Sequence, residues 1–410
     1  MTRVAVRTPD PDAPAASDTP GALDAFRSLL TGPGRRLLAG LRDIAPAEEL
    51  AVATRLRRDH PPELVAAAIG QARLRQRAAA KFGADAERMY FTPDGVEQAT
   101  RAPVAAWRAR RFAALGVTRV ADLCCGVGGD ALALARAGLT VLAVDRSPLA
   151  CAVTEANAAA LGLADRVTVR CAAVEDTDVR GFDAVFADPA RRGTGGGGRR
   201  IFDPEAYSPP LSWAVALAGR VPYAALKIAP GVPHEAVPEE AEAEWVSDRG
   251  DVKEAVLWFG TGAAAPRRAT LLPGGHTLTG TARQAPAGPP GRYLYEPDGA
   301  VIRASLVADV AERVEGHLLD PAIAYITGDV LRPTPYATAY EITDVLPFGV
   351  KRLRALLRER GVGTVTIKKR GSAVTPEELR SRLRPSGPHA ATLFLTRVGT
   401  APTVLIGHPA

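Results

Sequence analysis

A glycine-rich turn between two acidic residues is the part of the sequence best suited to bind a nucleotide. Asp122 lies in the short apolar run 120–123, which predicts a buried strand, and Gly126 and Gly128 follow it before a helical pattern begins. Glycine lets the backbone pass close to a ligand, and the first amides of a helix have no partner within the helix. Asp145 ends the next predicted strand, 19 residues after Gly126. A carboxylate there can accept hydrogen bonds from both hydroxyls of a ribose.

Two cofactors fit this arrangement. Gly126, Gly128 and Ala131 satisfy the fingerprint of a dinucleotide site, in which a pyrophosphate lies at the helix N-terminus. Such a site has no use for Asp122, whereas a carboxylate there can face the cationic methionine part of S-adenosylmethionine (SAM). We therefore predict a SAM site, with a capping role for either aspartate as the structural alternative. The predicted cofactor-binding residues in and beside the turn are Asp122, Cys124, Gly126, Gly128, Asp130, Asp145 and Arg146.

A second acidic motif follows the apolar run 182–187 and reads Asp188-Pro189-Ala190-Arg191-Arg192. Enzymes that methylate exocyclic amines place Asp or Asn at this point, usually followed by two prolines and an aromatic residue. The carboxylate orients the amine, and positioning supplies most of the rate. We predict that Asp188, Pro189 and Arg191 are catalytic and that Arg192 binds substrate. Alanine replaces the second proline here, and arginine, which can stack on a base or bind phosphate, replaces the aromatic residue. A solvated loop is the alternative for both arginines.

Lys227 ends the next predicted strand and is a candidate contact for substrate or phosphate. The alternative is a lysine whose ammonium simply reaches solvent at the strand end. The four cysteines, which lie between Cys124 and Cys171, lack the spacing of a zinc site, and we expect no metal. Methylation of pyrimidine C5 is disfavoured because it needs a cysteine nucleophile near the second motif, and no cysteine follows Cys171.

The elements that must position these residues form three predicted domains after a tail. Residues 1–20 are rich in proline and small polar residues and predict a disordered tail, and residues 21–112 show a helical pattern. From 113 to 300, short β-branched runs alternate with alanine-rich helical stretches, which is typical of βαβ units. This predicts an α/β fold with a Rossmann-like sheet and helices on both faces. Residues 301–410 predict a small α+β domain.

Two details of the later chain are less regular. The runs 254–259 and 269–272 are predicted strands that could pair as a hairpin across the glycines between them. Residues 280–300, with several prolines and glycines, predict a loop.

Charge and hydropathy limit the partners only loosely. Lysine and arginine number 51 against 45 acidic residues, a net charge of +6 that permits a nucleic-acid partner without requiring one. No apolar run approaches the roughly 18 residues of a membrane span, and the N-terminus lacks the order of a signal peptide. We therefore expect a cytoplasmic protein without a membrane contact.

The chain resembles a bacterial family of SAM-dependent methyltransferases with a C-terminal THUMP-like domain. Four stretches carry the resemblance: Tyr90–Thr100, Asp122–Asp130, Asp188–Arg192 and Ile367–Gly371. The first is also similar to a segment of trimethylguanosine synthases that lies against cofactor and substrate. That similarity implies that Phe91, Thr92 and Pro93 form part of the site wall. In the family pattern a third acidic position contacts adenine. It falls on Ala173 here, so Glu175 or Asp176 is expected to replace it.

THUMP domains bind RNA, usually tRNA, so the resemblance implies an RNA substrate. A basic cluster supports this expectation from the residues themselves. Cations at 351, 352, 354, 358 and 360 crowd one predicted helix, and Lys368, Lys369 and Arg370 follow a predicted strand. Such a patch would bind phosphates without selecting a sequence, and a solvated surface is the alternative. The resulting hypothesis is methylation of a base nitrogen, an exocyclic amine, in tRNA or rRNA. The rivals are a protein or small-molecule methyltransferase and a non-catalytic SAM-binding RNA module.

Overall fold

The structure is a computed structural model, and it describes residues 20–42, 44–190 and 203–410. The predicted N-terminal tail, except for its last residue, lies outside this part of the chain. The predicted site residues Arg191 and Arg192 also lie outside it. No helix in the described ranges combines the length and the apolar character needed to cross a membrane.

The chain divides into two compact units. The first comprises the described residues of Met1–Ala241 together with Ala255–Gly262. The second comprises Glu242–Glu254 and Ala263–Ala410. The three predicted domains, with boundaries at 112 and 300, stay a prediction.

The first unit begins with helices. Proline occupies one of the first two positions in α1, α2, α4, α5 and α6 as bounded below, where its missing N–H leaves no helical hydrogen bond unmade. The bounds are Pro20–Leu29 (α1), Gly32–Ala39 (α2), Glu49–Leu56 (α3), Pro62–Phe82 (α4), Pro93–Gln98 (α5) and Ala102–Ala114 (α6).

A largely parallel sheet follows in the first unit, in the order β3-β2-β1-β4-β5-β7, where only β7 is antiparallel to its neighbour β5. The strands β1, β4 and β5 are buried on both faces, as expected for a parallel sheet covered by helices on each side. The bounds are Arg119–Leu123 (β1), Gly129–Arg136 (α7), Thr140–Asp145 (β2), Pro148–Ala160 (α8), Val167–Cys171 (β3), Ala184–Ala187 (β4), Leu211–Ala218 (α9), Tyr223–Ile228 (β5) and Asp251–Phe259 (β7), of which residues 255–259 belong to this unit. Strand β6, Glu242–Asp248, belongs to the second unit.

One hydrophobic core joins the early helices to this sheet. Phe26 of α1 and Phe82 of α4 belong to the same cluster of buried residues as Val120 of β1 and Phe186 of β4. Phe112 of α6 packs against Trp258 of β7, with ring centroids 5.0 Å apart. The helices that precede the sheet are therefore part of the unit that carries the predicted site.

The second unit contains two groups of strands. In one, β8 is parallel to β6 and antiparallel to β9. The other is a seven-stranded sheet in the order β11-β12-β10-β13-β16-β15-β14. The bounds are Arg267–Leu272 (β8), His276–Gly280 (β9), Tyr293–Pro297 (β10), Gly299–Arg303 (α10), Val307–Arg313 (α11), His317–Asp320 (β11), Ile323–Gly328 (β12), Ala337–Pro347 (β13), Val350–Glu359 (α12), Val362–Lys369 (β14), Pro376–Leu383 (α13), His389–Val398 (β15) and Ala401–Pro409 (β16).

Two expectations for the later chain are wrong. The predicted hairpin between residues 254–259 and 269–272 does not form, because β8 pairs with β6 instead. The sequence did not predict β6, because Glu242 and Glu244 have the residue type of exposed positions although both are buried. Glu242 accepts from Arg268 at 2.6 Å and Glu244 from the Thr270 hydroxyl at 2.5 Å. The predicted loop 280–300 contains strand β10.

Gly70 offers a test of the helical packing. It lies within α4, and a Cβ built there meets no atom within 4 Å. We expect Gly70→Ala to raise the free energy of unfolding by about 0.5–1 kcal/mol, because alanine loses less backbone entropy in a helix. Urea unfolding measures the change. Gly34→Ala is the control of opposite sign, since its Cβ would lie 2.2 Å from the Ser28 carbonyl oxygen. A lower stability for Gly70→Ala would contradict the packing described for α4.

Candidate active site

Asp122 of β1 is a buried carboxylate, and neither oxygen has a hydrogen-bond partner among the described residues. Burial raises the pKa of Asp122 from 3.8 to about 8. The Arg108 charge opposes this rise, whereas the charges of Asp188 and Asp145 add to it. The nearby Ala131 amide also lowers the pKa, although it does not reach hydrogen-bond geometry. An unpaired buried carboxylate is costly, and a bound cation would relieve that cost. Asp122 therefore fits a ligand with a positive charge.

Thr154 of α8 fixes the glycine turn through a hydrogen bond and a close packing contact. Gly126 and Gly128 both have positive φ, 57° and 84°, which favours glycine. Thr154 donates its hydroxyl to the Gly126 carbonyl at 2.8 Å. A Cβ at Gly128 would lie 2.9 Å from the Thr154 methyl carbon. A side chain at position 128 would therefore force the turn away from α8.

Asp145 links the turn to the start of α8. Its Oδ2 accepts from the Gly126 amide at 2.9 Å, and its Oδ1 accepts from the Ser147 amide at 2.9 Å. Ser147 in turn caps α8 by accepting from the Ala150 amide at 3.0 Å. Arg146, between them, is exposed. A carboxylate accepts several hydrogen bonds, and this half-buried one at the end of β2 has the chemistry that ribose hydroxyls require.

Asp130, at the start of α7, forms an ion pair with Arg108 of α6 that is buried on both sides. The Arg108 guanidinium also lies over the Phe186 ring of β4, 4.1 Å from its centroid. The predicted cofactor residue Asp130 is thus engaged by a cation of the protein. Sequence reasoning missed Arg108, because nothing in the sequence distinguishes it from Arg110 and Arg111 beside it.

The Tyr90–Thr100 segment lies against the glycine turn, and Asn157 of α8 fastens it there. The fully buried Asn157 accepts from the Tyr90 amide at 2.6 Å and donates to the carbonyls of Tyr90 and Val127, each at 2.9 Å. A Cβ at Gly95 would lie 2.3 Å from Val127 Cγ1, so the contact is close. Thr154 and Asn157 are polar residues in a largely apolar helix, a pattern visible in the sequence that could have marked them as contacts of the turn.

The predicted wall residues of this segment have different surroundings. Phe91 is buried against Phe82, with ring centroids 5.2 Å apart. Thr92 caps α5 by accepting from the Gly95 amide at 3.0 Å, and Pro93 is the exposed first residue of that helix. The side chain of Phe91 therefore belongs to the core, and the role of the segment as part of the site wall stays a prediction.

Asp188 follows β4, and its backbone amide donates to the Leu123 carbonyl of β1 at 3.2 Å. Its Oδ2 accepts from Lys227 Nζ at 2.5 Å, and the same ammonium donates to the Thr100 hydroxyl at 3.0 Å. Lys227 is buried, so the alternative of an ammonium reaching solvent does not describe it. Pro189 is buried beside the pair. The Asp188 Oδ1 makes no hydrogen bond within the described ranges.

Cys124 lies among the acidic residues of the site. It has a left-handed backbone conformation, with φ of 65°. Burial raises the pKa of its thiol well above the ordinary value, and the charges of Asp145, Asp188, Asp122 and Glu175 add to the rise. The thiolate is the nucleophilic form of cysteine, and the raised pKa disfavours it, so Cys124 is unsuited to act as a nucleophile. Glu175 and Asp176 form an exposed 3₁₀ turn after β3, and of the two Glu175 acts more strongly on this thiol.

The predicted RNA-binding cations lie in the second unit and differ in their pairing. Lys368 and Arg370 both pair with Glu296, and they lie over the rings of Tyr340 and Tyr325, respectively. Lys369, between them, is exposed. The cations of α12 and of the residue after it are exposed; they are Lys351, Arg352, Arg354, Arg358 and Arg360. Within the described chain only Arg360 among them forms an ion pair, with Asp344 at 2.6 Å.

Three family profiles match the chain. The one described as a methyltransferase domain matches residues 120–190, and the one described as THUMP domain-like matches residues 337–409. A domain of unknown function (DUF8688) matches residues 22–78. The first match contains the glycine turn and Asp188, and the second contains α12 and β14.

The chain is also similar to whole proteins. An uncharacterized S-adenosylmethionine-dependent methyltransferase of Mycobacterium tuberculosis, Rv3037c of strain H37Rv, is 36% identical over 339 residues, which cover 80% of this chain and 91% of that protein. The crystal structure of a candidate methyltransferase from Porphyromonas gingivalis W83 has a TM-score of 0.71 at 21% identity and covers 90% of this chain and 99% of that one. Together with the profiles, these matches confirm the predicted Rossmann-like fold and THUMP-like C-terminal domain.

The pKa of Asp122 predicts a pH-dependent SAM affinity. Below about pH 8 the cofactor-free protein holds a proton on this carboxyl, and a bound cation favours its release. We expect the dissociation constant for SAM to fall as the pH rises toward 8, by up to about tenfold per pH unit. Calorimetry in two buffers of different ionisation enthalpy measures both the affinity and the proton released.

Asp122→Asn is the matched variant, because its amide does not titrate. It should bind SAM more weakly and without this pH dependence. The raised pKa of Asp122 also affects the free energy of unfolding of the cofactor-free protein, which should fall as the pH rises from 3.8 to about 8. Asp122→Asn should not show this fall, because its side chain does not titrate. Equal pH slopes for the two proteins between about pH 6 and 8 would assign the proton to another group.

Proposed function

The chain belongs to the S-adenosylmethionine-dependent methyltransferases, and from that premise we propose that it methylates an exocyclic amine of a base in tRNA or rRNA. The observation that carries the proposal is Asp188, a carboxylate beside the glycine turn with one oxygen held by Lys227 and the other without a hydrogen bond to any residue that the structure describes. A cytoplasmic location is part of the proposal.

The cofactor supplies a methyl group that its sulfonium has already activated. In this proposal Asp122 faces the cationic methionine part, Asp145 takes the ribose hydroxyls, and Glu175 is favoured over Asp176 for adenine. The support is chemical: an unpaired buried carboxylate suits a cation, and a half-buried one tied to the turn suits hydroxyl groups.

Asp188 positions the nucleophile. Its free Oδ1 accepts one N–H of the amine, which turns the nitrogen lone pair toward the methyl group. With SAM bound, the lone pair would form the new N–C bond as the S–C bond broke and left its electrons on sulfur. The methylated nitrogen then loses one proton through Oδ1 to water. Because no bond to the protein forms, positioning accounts for most of the rate.

The RNA part of the proposal rests on α12. Its Leu353 and Leu357 are buried in the core of the second unit, which leaves its cations on the exposed side. Cations without acidic partners are available to phosphates, whereas Lys368 and Arg370 would first have to leave Glu296. Lys369 is exposed and can join the α12 group.

Asp188→Ala tests the catalytic role. With labelled SAM and total RNA from a strain lacking the gene, we expect methyl transfer to fall by about 100-fold or more, because the amine loses its acceptor. SAM binding should remain. Asp183→Ala is the matched control. Asp183 lies just before β4, at the other end of the strand from Asp188, and accepts a hydrogen bond from the Thr118 hydroxyl at 2.6 Å. Full activity of Asp188→Ala would reject the proposed mechanism, and label in a protein fraction instead of RNA would reject the substrate.

Neutralising α12 tests the RNA contact. The variant Lys351→Gln, Arg352→Gln, Arg354→Gln, Arg358→Gln should bind RNA more weakly and reduce the slope of log affinity against log salt by up to about 3, since each phosphate contact contributes roughly 0.7–0.9. A matched control removes four cations of the same unit that pair with acids: Arg283, Arg292, Arg332 and Arg382. If both variants lost the same slope, general charge and not this helix would explain the binding.

A further inference from the structure

Lys227 is a buried lysine whose ammonium has two acceptors from distant parts of the chain. It donates to Asp188 Oδ2 at 2.5 Å and to the Thr100 hydroxyl at 3.0 Å. Its side chain is 6% exposed and that of Asp188 is 23% exposed, so the acid alone has a route to an incoming ligand. The pair therefore has a closed side, at the lysine, and an open side, at the acid.

The lysine restricts which residue can work at position 188. An ammonium only donates hydrogen bonds, and a buried one is stable only if acceptors surround it. A carboxylate accepts on both oxygens, so one can hold the lysine while the other accepts from the substrate. An asparagine has a single oxygen, which the lysine would take. Its NH2 group would then face the substrate amine, donor against donor.

We propose that Lys227 is a positioning residue that fixes Asp188 through Oδ2, assigns Oδ1 to the substrate amine and makes the enzyme require aspartate, not asparagine, at position 188. The inference rests on the proposed function, since it assumes that Asp188 accepts an N–H of the substrate. It goes further by stating which oxygen does so and which residue decides it.

Thr100 completes the arrangement from the segment between α5 and α6. Its buried hydroxyl accepts a hydrogen bond from the Lys227 ammonium. The ammonium is therefore held between two acceptors, this hydroxyl and Asp188 Oδ2. The orientation of the catalytic carboxylate therefore depends on the segment that also packs against the glycine turn.

Three variants test the inference: Asp188→Asn, Lys227→Met and the two together. With labelled SAM and total RNA from the deletion strain, we expect Asp188→Asn to lower kcat by about 100-fold, because the amide presents a donor to a donor. Adding Lys227→Met frees the asparagine to turn its oxygen toward the substrate. The double variant should therefore exceed Asp188→Asn in kcat by about tenfold or more, with KM for SAM unchanged.

A stability comparison needs no substrate. Lys227→Met alone leaves a carboxylate without its cation and should lower the unfolding midpoint, whereas in the Asp188→Asn background it removes no ion pair and should lower the midpoint much less. The double variant carries neither charge, so it stays folded even if Lys227→Met does not. Asp183→Asn, at the opposite end of β4, is the control and should keep normal turnover.

The outcomes separate this inference from the proposed function. An inactive Asp188→Ala with a fully active Asp188→Asn would overturn the inference and leave the function intact. A double variant no faster than Asp188→Asn would also overturn it, as would equal midpoint losses from Lys227→Met in both backgrounds. Recovery in the double variant together with unequal midpoint losses supports it. Active Asp188→Ala would instead reject the proposed function itself.

Discussion

Repulsion between carboxylates is the constraint around which the site is built. Asp122, Asp145 and Asp188 lie at or near the carboxyl ends of neighbouring parallel strands, with Asp130 in the helix that follows the first. An arginine of α6 compensates Asp130, a lysine of β5 compensates Asp188, and backbone amides hold Asp145. Within the described chain Asp122 has no such compensation. Three of the four acids thus have a partner that offsets their charge, whereas Asp122 makes no hydrogen bond to a described residue and is offset mainly by the nearby Arg108 charge, which is why the proposed function assigns it to the cation of the cofactor.

The helices before the sheet contribute to this balance. Arg108 comes from α6, and Thr100 comes from the segment just before that helix. Asn157 binds the backbone of Tyr90 and so fixes the same segment to the glycine turn. The early helices and the sheet share one hydrophobic core, so the elements that carry these groups are packed directly onto the strands that carry the acids. The sheet supplies the acids, and the preceding helices supply part of what holds them.

Sequence reasoning could propose roles only for residues whose chemistry is local. The glycine turn, Asp122, Asp145 and the Asp188 motif each combine a residue type with a strand end, and both are visible in a short stretch. Pairing between distant residues was not visible. Lys227 and Asp188 are 39 positions apart and meet only because β4 and β5 are neighbours. Arg108 could not be selected from several arginines, because its burial is decided by the sheet beneath it.

Strand β6 was missed for a related reason. Pattern reasoning assigns acids to the surface, yet Glu242 and Glu244 are buried because β8 supplies an arginine and a hydroxyl opposite them. Once β6 was overlooked, β8 lacked its true neighbour, and the nearest run in sequence looked like its hairpin partner. An error in one buried polar strand therefore became an error in pairing.

The basic residues of the second unit differ in pairing, and under the proposed function this difference decides which of them are available to RNA. Lys368 and Arg370 are two positions apart at the end of β14, so both side chains lie on the same face of the sheet. That face also holds Glu296 and the two tyrosines. On α12 the helical period directs the leucines inward and the cations outward. Contacts made through such cations reach phosphates and carry no sequence information. Under the proposed function, selection of the base would then come from its fit beside Asp188, where one carboxylate oxygen has no hydrogen bond to a described residue.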